Sequence, residues 1–127
     1  MTDVTADAGA LDAQMLCQAI AAGRLRYTTE AQLQQALADL FADAGIDADG
    51  QVRLGVHERP DFMAGGVAVE LKVKGTLGDL TRQLGRYAAH DQVTAVIVVT
   101  RCARHRDVPR EINGKPVYVV WLSGLTG

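Results

Sequence analysis

Two adjacent glycines, Gly65 and Gly66, separate the segment Pro60-Asp61-Phe62-Met63-Ala64 from Val67-Ala68-Val69-Glu70-Leu71-Lys72-Val73. This pair constrains the fold more than any other feature. Two-residue hairpin turns need positive φ, and glycine reaches it without a steric penalty. With Gly65-Gly66 as the turn, Ala64 faces Val67, Met63 faces Ala68, Phe62 faces Val69 and Asp61 faces Glu70. Strand alternation then puts Val67, Val69, Leu71 and Val73 on a core face and Ala68, Glu70, Lys72 and Lys74 on the other. Asp61, Glu70 and Lys72 share that second face.

The flanking segments extend the hairpin into a sheet. Thr76 can cap a helix running to about Ala89, with Leu77, Leu80, Leu84 and Ala88 on its buried stripe. The run Thr94–Thr100 is apolar on both faces, as in a covered strand, so strand, helix and strand form a βαβ unit with parallel strands. Asn113-Gly114 marks a turn before a last strand, Val117–Leu122. Upstream, residues 10–23 form a helix with Leu11, Met15, Leu16, Ala19 and Ile20 on one stripe. Thr29 and Gln32 fit a capping box for a second helix, with Leu33, Leu37, Leu40 and Phe41 inward and Gly45 as its stop. Val52, Leu54 and Val56 alternate with polar residues and predict a strand.

The expected fold is α/β: a mixed sheet flanked by helices, in the order α-α-β-β-β-α-β-β. A chain of 127 residues, 48% apolar, suits one domain, with residues 1–9 frayed, a helix at 10–23 and the core at 28–122. There is no internal repeat and no interior linker. No apolar run approaches the roughly 18–20 residues that span a bilayer, and the N-terminus carries Asp3, Asp7 and Asp12 with no basic n-region, so a cytoplasmic protein without membrane contact is expected. Cys17 and Cys102 have no CxxC or ligand-spaced His beside them, which argues against a zinc site or a disulfide framework.

The net charge of −2 argues against a strongly basic nucleic-acid binder, but it averages two unlike parts. Residues 1–50 hold two bases against eight acids, a net of −6, whereas residues 51–127 hold eleven bases against seven acids, a net of +4. With one Trp, three Tyr and two Phe, contact with nucleic acid would run through phosphates rather than through stacked bases.

Opposed carboxylates in a sheet repel, so a cation is expected between Asp61 and Glu70. Lys72 or Arg59 could neutralise them, and so could a divalent ion; two carboxylates plus waters suit Mg²⁺. Glu30 opens the second helix, where the dipole favours an anion, on the stripe that faces the body of the protein. Gln83 and Tyr87 lie four apart on the next helix, with Arg86 alongside.

In this order the residues resemble the PD-(D/E)xK nuclease superfamily, with its restriction-endonuclease-like fold and αβββαβ core. Pro60-Asp61 matches the opening pair, Glu70-Leu71-Lys72 the E-x-K, the Thr29–Gln34 segment the helix with an accessory Glu, and Gln83-Leu84-Gly85-Arg86-Tyr87 the QxxxY element. That element belongs to the branch containing nuclease domains of recombination helicase-nucleases and type I restriction subunits. The resemblance spans Thr28 to Thr100 and leaves the N-terminal helix as an addition.

The resemblance implies Mg²⁺-dependent hydrolysis of DNA phosphodiester bonds, with Mn²⁺ able to substitute, leaving a 5′-phosphate and a 3′-hydroxyl. Asp61, Glu70 and the Leu71 carbonyl would hold the metal, and Lys72 would orient water or stabilise phosphate charge. Glu30 would bind the metal's water shell or a second ion, and Gln83 and Tyr87 would position Lys72 or a phosphate. Arg86, with Arg104 and Arg106 of the Arg-rich loop 101–110, would bind nucleic acid. A domain of this size is expected to act as a homodimer or with partner subunits. The alternative is a nuclease fold used as a DNA-binding or assembly module without turnover. A metabolic α/β enzyme is disfavoured, since there is neither GxGxxG after a strand nor GxxxxGK[ST].

Overall fold

The computed structural model describes residues 13–122. It is an α/β arrangement built on one mixed sheet. Helix α1 covers residues 13–22, α2 Glu30–Asp43 and α3 Leu77–Ala88. The strands are β1 Asp49–Gly50, β2 Phe62–Ala64, β3 Val67–Lys72, β4 Ala95–Thr100, β5 Glu111–Ile112 and β6 Lys115–Trp121. They lie in the order β1-β2-β3-β4-β6-β5. A 3₁₀ turn, Ala103–Asp107, occupies the Arg-rich loop. Residues 1–9, and Leu11 of the expected first helix, lie outside the described residues.

The hairpin forms in the expected register: Ala64 pairs with Val67, Met63 with Ala68 and Phe62 with Val69. Gly65 has φ +59°, and a Cβ on Gly66 would come within 2.6 Å of Thr94 Oγ1, so each glycine has its own reason to be there. β3 runs parallel to β4, as the strand, helix, strand order predicts, and β4 also runs parallel to β6. The Thr29–Gln32 capping box is present, and the Thr76 hydroxyl accepts from the Asp79 N–H at the start of α3.

Both faces of the sheet are packed. On one, Leu16 and Ile20 of α1 and Leu33, Leu37 and Phe41 of α2 cover Val67, Val69, Leu71, Ile97 and Val99, with the Phe41 and Phe62 rings edge to face at 5.3 Å. On the other, Leu80, Leu84, Tyr87 and Ala88 of α3 cover Ala68, Val96, Val98 and Val117. The second face of β3, which its sequence marks as the polar one, is therefore also a core, with Glu70 inside it.

Two expectations need correction. Residues 52–56 form no strand: the first strand is only Asp49–Gly50, and the chain from Gln51 to Asp61 is a loop. Gln51 takes φ +55°, which turns the backbone out of the sheet, and the three-residue β2 has no further edge to pair. Met15, expected on the buried stripe of α1, is 64% exposed; the inward residues are Ala13, Leu16 and Ile20.

Candidate active site

Glu70 sits on β3 beneath α3 and is 4% exposed, so its carboxylate needs partners within the protein. Leu80 and Leu84 press α3 onto the sheet, and the same helix presents Gln83 and Tyr87, one turn apart. The Tyr87 hydroxyl donates to Glu70 Oε1 at 2.8 Å, and Gln83 Nε2 donates to the Tyr87 oxygen at 2.9 Å. The direction of this chain is fixed, because an amide N–H only donates and the hydroxyl has one proton to give. Gln83 and Tyr87 thus act on Glu70, where the family pattern assigned them to Lys72 or a phosphate. Lys72 Nζ lies 3.4 Å from the other oxygen, Oε2.

Asp61 immediately precedes β2. Its Oδ2 accepts from the Leu71 N–H at 2.8 Å and its Oδ1 from Gln51 Nε2 at 3.2 Å. The backbone on this edge explains why Leu71 matters. Hydrogen-bonded antiparallel pairs exchange both bonds, so a strand residue's N–H and C=O leave on the same side. The Leu71 carbonyl therefore faces β2, toward Asp61. The ladder itself ends at the Phe62–Val69 pair, and Pro60 has no N–H with which to continue it.

The electrostatics follow from this packing. Burial, then the neighbouring Asp61 charge, push the Glu70 carboxyl up to about 7, against the opposing pull of Tyr87 and Lys72. Asp61 is also raised, first by burial and further by the charge of Glu30, with the Leu71 N–H and Gln51 opposing. Tyr87 is held well above its ordinary range by burial and by the Glu70 charge. The site is thus a pair of like charges only partly compensated by Lys72.

Asp61 and Glu70, with the Leu71 carbonyl, are the oxygen donors that could hold Mg²⁺ or Mn²⁺, ions that prefer such ligands with waters completing the shell. Among the described residues no three of His, Cys, Asp and Glu gather into a metal-holding cluster. Glu30, at the exposed first turn of α2, raises Asp61 through space without completing such a cluster.

Two clefts border the carboxylates. One, of about 180 Å³, is lined by Lys72, Lys74, Gln83 and Arg86 together with the start of α3 and His105. The other, of about 390 Å³, lies between the 51–61 loop and α3. Arg86 therefore shares a cleft with Lys72. Arg104 and Arg106 line neither cleft; the Arg106 guanidinium lies 3.8 Å from the Trp121 ring centroid, in cation–π geometry. Between them His105 is fully buried, bonded to Thr100 Oγ1 at 2.7 Å and to the Gly75 carbonyl at 2.9 Å. Since the Gly75 carbonyl only accepts, Nε2 of His105 carries a proton. This clasp ties the 3₁₀ turn to the β3–α3 connection.

Two residues at the site, Gln51 and His105, are not marked by the sequence. Gln51 has no signal, because its position reads as the start of a strand. The only sign of His105 is a histidine set among the arginines of the 101–110 loop. Compared with known proteins, the chain matches no family model, no curated protein and no solved structure.

Proposed function

We propose that this chain is a divalent-cation-dependent nuclease that hydrolyses DNA phosphodiester bonds, with a site of the PD-(D/E)xK kind. The observation that carries this reading is the half-buried Asp61 beside the buried Glu70, two mutually repelling carboxylates with Lys72 next to Glu70 and the Leu71 backbone next to Asp61. A site held for structure alone would not be expected to retain two like charges under such poor compensation.

Asp61, Glu70 and Leu71 would hold the ion, which supplies Lewis-acid polarisation of a phosphate and a more acidic water. The protein's own residues do the rest. Tyr87 and Gln83 fix the rotamer of Glu70, and the Leu71 N–H and Gln51 fix that of Asp61, so both carboxylates are preorganised. Lys72 is 24% exposed in its side chain and reaches from Glu70 into the cleft shared with Arg86, where its ammonium can orient a water or meet charge developing on phosphate oxygens. Arg86 and Lys74 add phosphate contacts along the same cleft.

Plasmid and oligonucleotide cleavage in Mg²⁺ and Mn²⁺ tests the reading. Lys72→Ala is expected to lower the cleavage rate by about 10²–10³ while metal binding, followed by calorimetry, stays within a few-fold of wild type. A wild-type protein that is inert with both ions on duplex, single-stranded and branched DNA refutes turnover and favours a binding or assembly module.

A further inference from the structure

The loop between β1 and β2 carries Arg53, His57 and Arg59, a concentration of basic side chains that the carboxylate chemistry does not use. It lacks a partner strand, yet it is tied down along its length. The Gln51 N–H donates to the Asp61 carbonyl at 3.0 Å, in addition to the side-chain bond between these residues. Arg53 Nη1 donates to the Val56 carbonyl at 3.0 Å, and the Leu54 N–H to the Glu58 carbonyl at 2.8 Å. Glu58 Oε1 meets His90 Nε2, at the end of α3, at 3.0 Å. One end of the loop is therefore fastened to a candidate metal ligand and the other to the helix that carries Gln83 and Tyr87.

The cleft of about 390 Å³ under this loop takes Arg53, His57 and Arg59 from one wall and Gln83 and Tyr87 from the other, with no carboxylate in its lining. Among the described residues neither Arg53 nor Arg59 forms an ion pair, although the protein as a whole is acidic. Gln83 also lines the smaller cleft with Lys72, Lys74 and Arg86. The two basic clefts thus meet at the residue whose amide, through Tyr87, ends on Glu70.

We propose that the two clefts are successive stretches of one groove for single-stranded DNA. Arg53 and Arg59 bind backbone phosphates on one side of the Asp61–Glu70 pair, and Lys74 and Arg86 bind them on the other. The placing of the bond to be cut between these stretches rests on the nuclease reading; the binding does not. Uncompensated guanidinium groups at spaced positions match a polyanion with regularly spaced charges. The cleft has the volume of a small-ligand site, roughly 300–1,000 Å³, which fits the backbone of one strand between its two walls rather than a duplex. The scarcity of aromatic residues assigns the affinity to phosphates, and phosphate binding is steeply salt-dependent.

Fluorescence anisotropy of a labelled oligothymidylate, titrated with protein in EDTA over a range of salt, tests this without cleavage. Arg53→Glu with Arg59→Glu is expected to weaken binding at least tenfold, and Arg53→Gln with Arg59→Gln to reduce the slope of log K against log salt by about 1.4, or ~0.7 for each phosphate no longer neutralised. Affinity and slope within twofold of wild type overturn the proposal, as does a wild type that fails to bind the oligothymidylate. A hairpin duplex bound more tightly than the single strand overturns the choice of strand. Should the double variant fail to give the wild-type circular dichroism spectrum and melt, Arg59→Glu decides alone, since Arg59 makes no hydrogen bond among the described residues. Loop variants that bind normally in a protein that cleaves remove the groove and leave the nuclease. Loop variants that lose binding in a protein that never cleaves do the reverse.

Discussion

Replacing Glu70 with Gln should stabilise the metal-free protein at neutral to alkaline pH, against the usual expectation for a buried residue in a hydrogen-bonded chain. The reason lies in where its proton resides. An unfolded Glu titrates near 4.5, and in the folded protein burial and then the Asp61 charge move Glu70 to about 7. Between those values the folded state holds more protons than the unfolded state, so stability falls as pH rises; the contribution is fully present below about 4.5 and lost above about 7. At 1.36 kcal/mol for each tenfold change, the loss amounts to about 3 kcal/mol. Gln keeps an acceptor for the Tyr87 hydroxyl but gives up the ion pair with Lys72, whose side chain is exposed enough to swing into solvent. The net gain for Glu70→Gln at about pH 8 is therefore roughly 1–3 kcal/mol, or several degrees in Tm for a domain of this size. Saturating Mg²⁺ should invert the comparison: wild type gains about 2.7 kcal/mol at a hundred times Kd, and the variant gains little. Thermal unfolding from about pH 4 to 9, in EDTA and in Mg²⁺, reads both effects. A wild type whose metal-free Tm is flat across this range, together with a variant less stable at about pH 8, would refute the reasoning, because Lys72 would then already balance the carboxylates.

Two further substitutions probe the supports of the site. Tyr87→Phe removes the hydroxyl that joins Gln83 to Glu70 and leaves two polar groups short of a partner, so urea unfolding should show a loss of about 1–3 kcal/mol and the pH at which Glu70 titrates should rise further. Gly66→Ala places a Cβ 2.6 Å from Thr94 Oγ1 and should cost about 1–3 kcal/mol; adding Thr94→Ala, which deletes the two nearest atoms, should recover most of it, and no recovery would assign the cost to the turn.

The parts of the fold that were legible beforehand are those set by local chemistry. Gly65-Gly66 fixes the hairpin register, Thr29 with Gln32 and Thr76 fix two helix starts, and the apolar run at Ala95–Thr100 becomes the central strand buried on both faces. Strand parity puts Glu70 and Lys72 on one face and helical spacing brings Gln83 to Tyr87, whereas Asp61 lies just outside β2 and is held by the Leu71 N–H and Gln51 rather than by a ladder pair with Glu70. What was not legible depends on partners distant in sequence. Val52, Leu54 and Val56 alternate like a strand, but a strand exists only beside another edge, and β2 begins only at Phe62, two residues after Pro60. Nor does the sequence of β3 reveal that its Glu70 face is buried, since Ala68, Glu70, Lys72 and Lys74 read as a solvated set until α3 is laid across them.

The missing strand also changes how the charge should be read. A strand over residues 52–56 would have spread Arg53 and its neighbours along a sheet edge; as a loop, the segment folds back and brings Arg53, His57 and Arg59 to one cleft beside the carboxylates. The surplus of four positive charges in residues 51–127 understates the local imbalance, because several of the seven acids there are already committed. Glu58 meets His90, and Asp61 and Glu70 would be engaged by the proposed ion. With a divalent cation between the last two, the cleft under the 51–61 loop would hold no carboxylate, and the smaller one only Asp79, which is paired with Arg82. A net charge of −2 is thus compatible with a phosphate-binding groove, because the acid excess lies in residues 1–50 while Arg53, Arg59, Lys72, Lys74 and Arg86 line the two clefts.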